Sequence, residues 1–300
     1  MNYHEPVMLE DCIEGLDIHP GGVYVDVTFG GGGHARAILS VLDTGKLYAF
    51  DQDRDAGEVA GQINNPSLVF IQSNFRNIKR YLKLHGVKQI DGLLADLGVS
   101  SHQFDVPERG FSTRFDAMLD MRMDQDAELT ANEVLNTYPE KELHKLFGLY
   151  GEVRNARTLA SAIITQRINQ PIQTVNELKI ILDKLAPRGR EFKYYAQVFQ
   201  AIRIEVNDEL KALEALLQQS SGLVRIGGRL VVMSYHSLED RLVKNFIAKG
   251  KFYGETEKDF YGNVLKPFEA VNKKPILAGE EELRKNKRAR SAKLRIAEKI

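Results

Sequence analysis

The sequence predicts an α/β fold: a parallel sheet with helices on both faces, interrupted by an all-helical insertion. Three observations predict it. Apolar, β-branched runs alternate with helical patterns from residue 23 to residue 96. From about residue 108 to about residue 206 no convincing strand follows, and strand character then returns at Arg229–Met233. Strands separated by helices of this length imply right-handed crossovers, hence a parallel sheet.

Val23-Tyr-Val-Asp-Val-Thr-Phe29 reads as the first strand and runs into Gly30-Gly31-Gly32-Gly33-His34, followed by a helical pattern from Ala35 to Leu42. Lys46–Phe50 is a second strand ending at Asp51, and Asp55–Ile63 is helical. Leu68–Ile71 is a third strand, Arg76–Leu84 a helix, and Ile90–Ala95 a fourth strand that ends in Asp96-Leu97-Gly98. In the strandless stretch, Thr130 with Glu133 three residues on is a capping-box signature. Leu143, Leu146 and Phe147, then Leu159, Ala162, Ile163 and Gln166, then Val175, Leu178, Ile181, Leu182 and Leu185 fall at helical spacing; Pro187 and Gly189 close the last helix. A stretch of this length between two strands of one sheet is an inserted subdomain rather than a loop. The expected organisation is therefore a discontinuous domain, 1–107 with 207–300, around a helical insert, 108–206. Glu209–Leu217 is amphipathic, Gly227-Gly228 a turn and Arg229–Met233 a buried strand leading into Ser234-Tyr-His-Ser-Leu-Glu-Asp-Arg241 and a helix to Ala248. Residues 250–291 read as mostly irregular and Ala292–Ile296 as an edge strand.

Composition bounds the function. The 300 residues are 43% apolar and 27% charged, ordinary for a soluble globular protein. No apolar run approaches the roughly 18 residues of a membrane helix, so no membrane association is expected, and Met1-Asn-Tyr-His-Glu-Pro6 has no secretory pattern. Cys12 is the only cysteine, which excludes an internal disulfide and fits a reducing cytoplasm. Lys plus Arg equals Asp plus Glu, 41 each, so a polyanion site must arise from local clustering rather than a global field. The clearest cluster is Arg284-Lys285-Asn286-Lys287-Arg288-Ala289-Arg290, continuing to Lys293 and Arg295, with Glu280-Glu281-Glu282 offsetting part of it. A solvated charged tail is the plain alternative.

The glycine run between strand and helix allows a simple turn, NAD or S-adenosylmethionine, since Gly30-x-Gly32-x-x-Ala35 fits the dinucleotide fingerprint. Asp26 favours S-adenosylmethionine: a carboxylate just before the glycines repels a pyrophosphate and attracts an ammonium and a sulfonium. Asp51 suits the ribose of either cofactor. Asp96-Leu-Gly-Val-Ser-Ser-His-Gln103 leaves the carboxyl end of the fourth strand, the edge that lines the ligand crevice of open α/β sheets. The Ser234–Arg241 string follows a buried strand at the same edge. His236 could be a base or a donor there, while Ser237 could be a helix N-cap completed by Asp240. Ser234 or Ser237 with His236 does not make a hydrolase case, because the Gly-x-Ser-x-Gly elbow is missing and the sequence places no orienting acid. Arg122 between Asp120 and Asp124 is either an internal ion pair or a substrate contact. No histidine or cysteine has metal-ligand spacing, so no metal is expected.

Taken in order, His4-Glu-Pro-Val-Met8, Asp26-x-Thr28-x-Gly30-x-Gly32-Gly33-His34, Asp96-Leu-Gly-Val-Ser-Ser101, Arg109-Gly-Phe111, Leu119-Asp-Met-Arg-Met-Asp124, Phe199-Gln-Ala-x-Arg203, Ser234-x-His-Ser-Leu-Glu-Asp-Arg241 and Arg288-Ala-Arg-Ser291 are specific as a set. The chain resembles, nearly end to end, the bacterial small-subunit (16S) ribosomal RNA cytosine-N4 methyltransferases. The resemblance implies a class I (Rossmann-like) methyltransferase sheet with a helical insert, acting in the cytoplasm on 16S ribosomal RNA within the small ribosomal subunit. It implies that S-adenosylmethionine is held by Gly32, Gly33, His34, Asp51, Phe75, Asp96 and Gln103. Candidates for the chemistry are Asp96, Ser234 and His236, and candidates for RNA contact are Arg109, Arg122, Arg203, Arg288 and Arg290. Tyr235 stands where phenylalanine is common in that family, and Lys287 where proline is usual. The alternatives are an NAD-dependent oxidoreductase on the same sheet type and a non-catalytic ribosome-assembly RNA-binding protein.

Overall fold

The computed structural model describes residues 6–300, so His4 and Glu5 of the first motif lie outside the described residues. The chain divides into two compact units, Met1–Gly98 with Leu210–Ile300, and Val99–Glu209.

The first unit is built on seven strands: β1 (Val23–Asp26), β2 (Lys46–Asp51), β3 (Leu68–Gln72), β4 (Ile90–Asp96), β5 (Val224–Ser234), β6 (Phe268–Ala270) and β7 (Lys293–Lys299). Their order is β3-β2-β1-β4-β5-β7-β6. The first five pair in parallel, and β7 runs antiparallel to both β5 and β6. Alternate residues of each strand serve opposite faces. Tyr24, Leu47, Ala49, Leu94, Val231 and Ile296 face one core with the helices Leu9–Leu16 and Gly33–Val41. Val25, Tyr48, Phe50, Leu93, Leu230 and Val232 face the other, under the helices Ile78–Leu84, Glu209–Leu223 and Ser237–Lys249. Both faces are therefore dry, which explains the near-continuous apolar character of these strands.

Two expectations are corrected. The strand read at Ala292–Ile296 is β7, which starts at Lys293 and is an interior strand; the edge is the three-residue β6, too short to leave a periodic signal. Gly227 does turn the chain, at φ +77, but inside β5: the register jumps from Ile90↔Val224 to Gly92↔Arg229, so the turn is a bulge in a continuing strand. Residues 250–291 are mostly irregular, as expected, with the short strand β6 and the helix Glu280–Lys285 set within them.

The second unit is helical, with helices at Ser101–Asp105, Ala131–Thr137, Glu140–Leu149, Ala156–Asn169, Val175–Asp183 and Glu191–Asn207. Leu135, Phe147, Leu159, Leu178 and Ile202 are among its fully buried side chains. Among the described residues it has no ladder strand, only an isolated bridge between Met118 and Thr174. Three helices start on reciprocal capping boxes, Ser100 with Gln103, Thr130 with Glu133 and Thr174 with Glu177. Each satisfies two amides that a helix start otherwise leaves open.

Candidate active site

The sheet reverses direction of growth between β1 and β4: β2 and β3 lie to one side, β5 to the other. In open α/β sheets the ligand crevice opens at the carboxyl ends of the strands at this switch point. Here β1, β2 and β4 end in Asp26, Asp51 and Asp96.

The glycine loop is tied to these acids. Asp26 Oδ1 accepts the backbone N–H of Thr28 at 3.0 Å, while its Oδ2 is buried with no partner among the described residues. Thr28 Oγ1 in turn accepts the N–H of Asp96 at 2.7 Å, locking the ends of β1 and β4 together. Asp51 Oδ2 accepts the N–H of Gly30 at 2.8 Å and Oδ1 that of Asp53 at 2.9 Å. Gly32, at φ +72, is the N-cap of the helix Gly33–Val41 and adopts the left-handed backbone that side chains disfavour. Gly33 is required for another reason: a Cβ there would lie 2.2 Å from Cγ of Pro6. The segment that carries Pro6 thus packs directly against the start of this helix.

His34, on the first turn of that helix, is buried. Its Nε2 lies 3.3 Å from the carbonyl of Val7, which can only accept, so Nε2 carries the proton and Nδ1 faces Asp96 Oδ2 at 3.8 Å. Burial holds the His34 pKa down at about 4, so the ring is neutral at pH 7. The three carboxyls move the other way. Burial raises Asp26 to about 7, partly countered by the Thr28 bonds, with the charge of Asp51 adding to it. Burial raises Asp51 to about 6 against its backbone bonds. Asp96 rises to about 7 through burial, with the Tyr235 hydrogen bond opposing and Asp26 and Glu239 adding. The crevice is therefore a cluster of underprotected acids that a cationic ligand would stabilise.

Beyond β5, Tyr235 donates its hydroxyl to Asp96 Oδ1 at 2.8 Å, and burial with the Asp96 charge pushes its own pKa far up. The bond links residues 139 positions apart, and sequence reading missed it. The helix cap also differs from expectation. The N-cap is His236, not Ser237, and its partner is Glu239, whose Oε2 accepts the N–H of Tyr235 at 3.0 Å and whose Oε1 lies 3.2 Å from His236 Nε2. Asp240 instead binds Arg295 at 2.7 Å and Lys293 at 3.5 Å. The buried Ser234 hydroxyl points to the Lys293 carbonyl at 3.5 Å. Phe75 is half-buried on the short turn that follows β3.

In the second unit, Gln103 is buried and serves as the capping-box partner of Ser100. Arg109 is buried and donates to the carbonyls of Arg122 and Met123 at 2.8 and 3.2 Å. Arg122 forms a bidentate pair with Asp120 at 2.9 and 2.7 Å, and Arg203 one with Glu209 at 2.8 and 2.9 Å. Arg288, half-buried in the first unit, and the exposed Arg290 lie on the turn Lys287–Ser291.

A doubly wound sheet with this strand order, a β7 antiparallel to its neighbours, and an acidic switch-point crevice define a Rossmann-like class I methyltransferase. The chain belongs to the MraW methylase family, whose model matches residues 1–300. It is 60% identical over 297 residues to the ribosomal RNA small subunit methyltransferase H of Cytophaga hutchinsonii, covering 99% of both chains. It is 56% identical over 301 residues to the protein of that name from Flavobacterium johnsoniae, covering 100% of this chain and 99% of the other. The Bacteroides thetaiotaomicron protein of that name is 52% identical over 300 residues, 100% of this chain and 98% of its own.

Proposed function

We propose that the chain transfers a methyl group from S-adenosylmethionine to the exocyclic N4 of a cytosine in 16S ribosomal RNA; the names of its relatives give the coarser class, small-subunit ribosomal RNA. The observation that carries the cofactor reading is the buried Asp26 with one oxygen unpartnered, beside Asp51 and Asp96. Three acids converging on one crevice fit an ammonium and a sulfonium and oppose the pyrophosphate of NAD. Asp51 would take the ribose hydroxyls, and the glycine loop with the first turn of Gly33–Val41 would take the amino-acid end. Bound there, the cofactor supplies an electrophilic methyl carbon.

The remaining work falls to the protein. The lone pair of a cytosine amino group is delocalised into the ring, so alignment and a fixed acceptor for its N–H must offset a weak nucleophile. Of the three candidates, Ser234 is turned toward β7 and His236 toward Glu239. Asp96 is the acceptor we favour: Tyr235 orients one oxygen, the other faces the neutral side of His34, and a pKa of about 7 lets it hold the N4 proton. The base must leave its stack to reach this depth.

The test uses S-adenosylmethionine labelled in its methyl group, the purified protein, and small ribosomal subunits from cells lacking it. Labelled N4-methylcytidine in the nucleoside digest is the expected result. Label in another nucleoside would overturn the cytosine assignment, and none in any RNA form would leave the non-catalytic binding reading.

A further inference from the structure

In the basic cluster near the carboxyl terminus, four of the seven cations carry acidic partners. Arg284 lies 3.6 Å from Glu280 and Lys285 3.0 Å from Glu281, and Asp240 holds both Lys293 and Arg295. A different surface keeps its charge. Between Asn74 and Ile90 the sequence has Arg76, Lys79, Arg80, Lys83 and Lys88 and no acidic residue. Lys79, Arg80, Lys83 and Lys88 are exposed, and none of their side chains forms an ion pair among the described residues. Ile78 and Leu82, on the opposite face of the same helix, are fully buried. Lys79, Arg80 and Lys83 stand at three- and four-residue spacing, so they form one stripe. Like charges at this spacing oppose helix formation, a cost that an intervening acid would have removed.

The stripe is also well placed. The helix Ile78–Leu84 follows the turn at Phe75, which leaves the carboxyl end of β3, so its first turn starts at the same edge of the sheet as the crevice. Lys79, Arg80 and Lys83 line a shallow hollow together with Leu84, which is 71% exposed, and Gln219. Gln219 spends its amide on the backbone, accepting from Lys79 N–H and donating to the Arg76 carbonyl, and so fixes the helix start. Exposed cations gathered around a shallow hollow suit a sugar-phosphate backbone. A membrane surface would need a broad apolar face beside the cations, and this helix buries its apolar face in the core.

We propose that the helix Ile78–Leu84, with Lys88, is a phosphate-binding surface for the ribosomal RNA that flanks the target nucleotide, outside the methyl-transfer crevice. The proposal rests on the ribosomal RNA methyltransferase reading above. The test compares the wild-type chain with Lys79→Ala/Arg80→Ala/Lys83→Ala over a salt series. Methyl transfer to small subunits and filter binding of 16S RNA are measured in parallel, and calorimetry follows S-adenosylmethionine. The variant is expected to raise KM and RNA Kd tenfold or more near physiological salt, with kcat and cofactor affinity unchanged. Its log–log salt slope should be shallower by about 2, from roughly 0.7 per phosphate contact on single strands. Lys79→Arg/Lys83→Arg should behave as wild type, which separates charge from folding. Wild-type KM, RNA Kd and slope in the triple variant would overturn the proposal, as would an effect confined to phosphatidylserine vesicles. If the wild type methylates no RNA, the enzymatic reading fails instead, and filter binding still decides the surface.

Discussion

At the scale of single residues, the site turns on Asp96 and the groups that set its proton affinity. The three acids were legible because each ends a strand, and strand ends at the switch point are where ligands bind. Their tuning was not legible. The Gly30–Asp51 and Tyr235–Asp96 bonds join residues 21 and 139 apart, and no local pattern announces a contact of that range. The partners of the arginines were no more legible. The forks of Arg109, Arg122 and Arg203 bond to carbonyls or carboxylates of their own unit. Tyr235→Phe removes the hydrogen bond that favours ionised Asp96, so the Asp96 pKa should rise further. The acidic limb of kcat/KM against pH is expected to move up by about one unit. Cofactor Kd, measured by calorimetry at pH 8, should stay within about threefold. An unmoved acidic limb would show that the phenol does not tune Asp96.

Among the elements, β1 to β4 and the helices between them follow from periodicity and turn residues, because each is defined by its own sequence. The elements read wrongly are those defined by a partner. β6 is a strand only because β7 pairs with it, and the cap at His236 is set by Glu239 bonding back to Tyr235. The contact of Gly33 with Pro6 likewise depends on a partner distant in sequence. Gly33→Ala places a methyl 2.2 Å from Pro6 Cγ, with overpacking of about 1–3 kcal/mol expected. A lowered Tm and weaker cofactor binding should follow. Adding Pro6→Ala should restore most of both, since the clashing atom is then gone; in a double-mutant cycle, additive losses would contradict a direct contact.

For the whole molecule, the buried acids set how stability depends on pH. Asp26, Asp51 and Asp96 have folded-state pKa values raised to about 6 to 7, so the folded form binds more protons than the unfolded one. Their contribution is full below the unfolded carboxylate range and is lost as pH rises through about 6 to 7. Asp120 and Asp240 act oppositely. Burial raises them, but bonds from Arg122 and Arg295 outweigh it and lower them, so their contribution is lost as pH falls into the acid range. The ligand-free protein should therefore be most stable in mild acid and melt progressively lower from pH 5 to 8. Saturating S-adenosylmethionine, a cation that selects the ionised acids, should raise Tm more at pH 8 than at pH 5 in a scanning fluorimetry series. An equal rise at both would remove the electrostatic basis of the cofactor reading.

The position of β7 has a consequence for how the molecule comes into being. β7 follows β6 in sequence yet is inserted between β5 and β6, and the first unit joins two segments that flank the second unit in the sequence. The inner unit, Val99–Glu209, is contiguous and can condense as it emerges during synthesis. The sheet that carries the crevice stays open beside β5 until residues 293–299 have been made. A product truncated before Lys293 would leave the β5 edge bare, an invitation to aggregation.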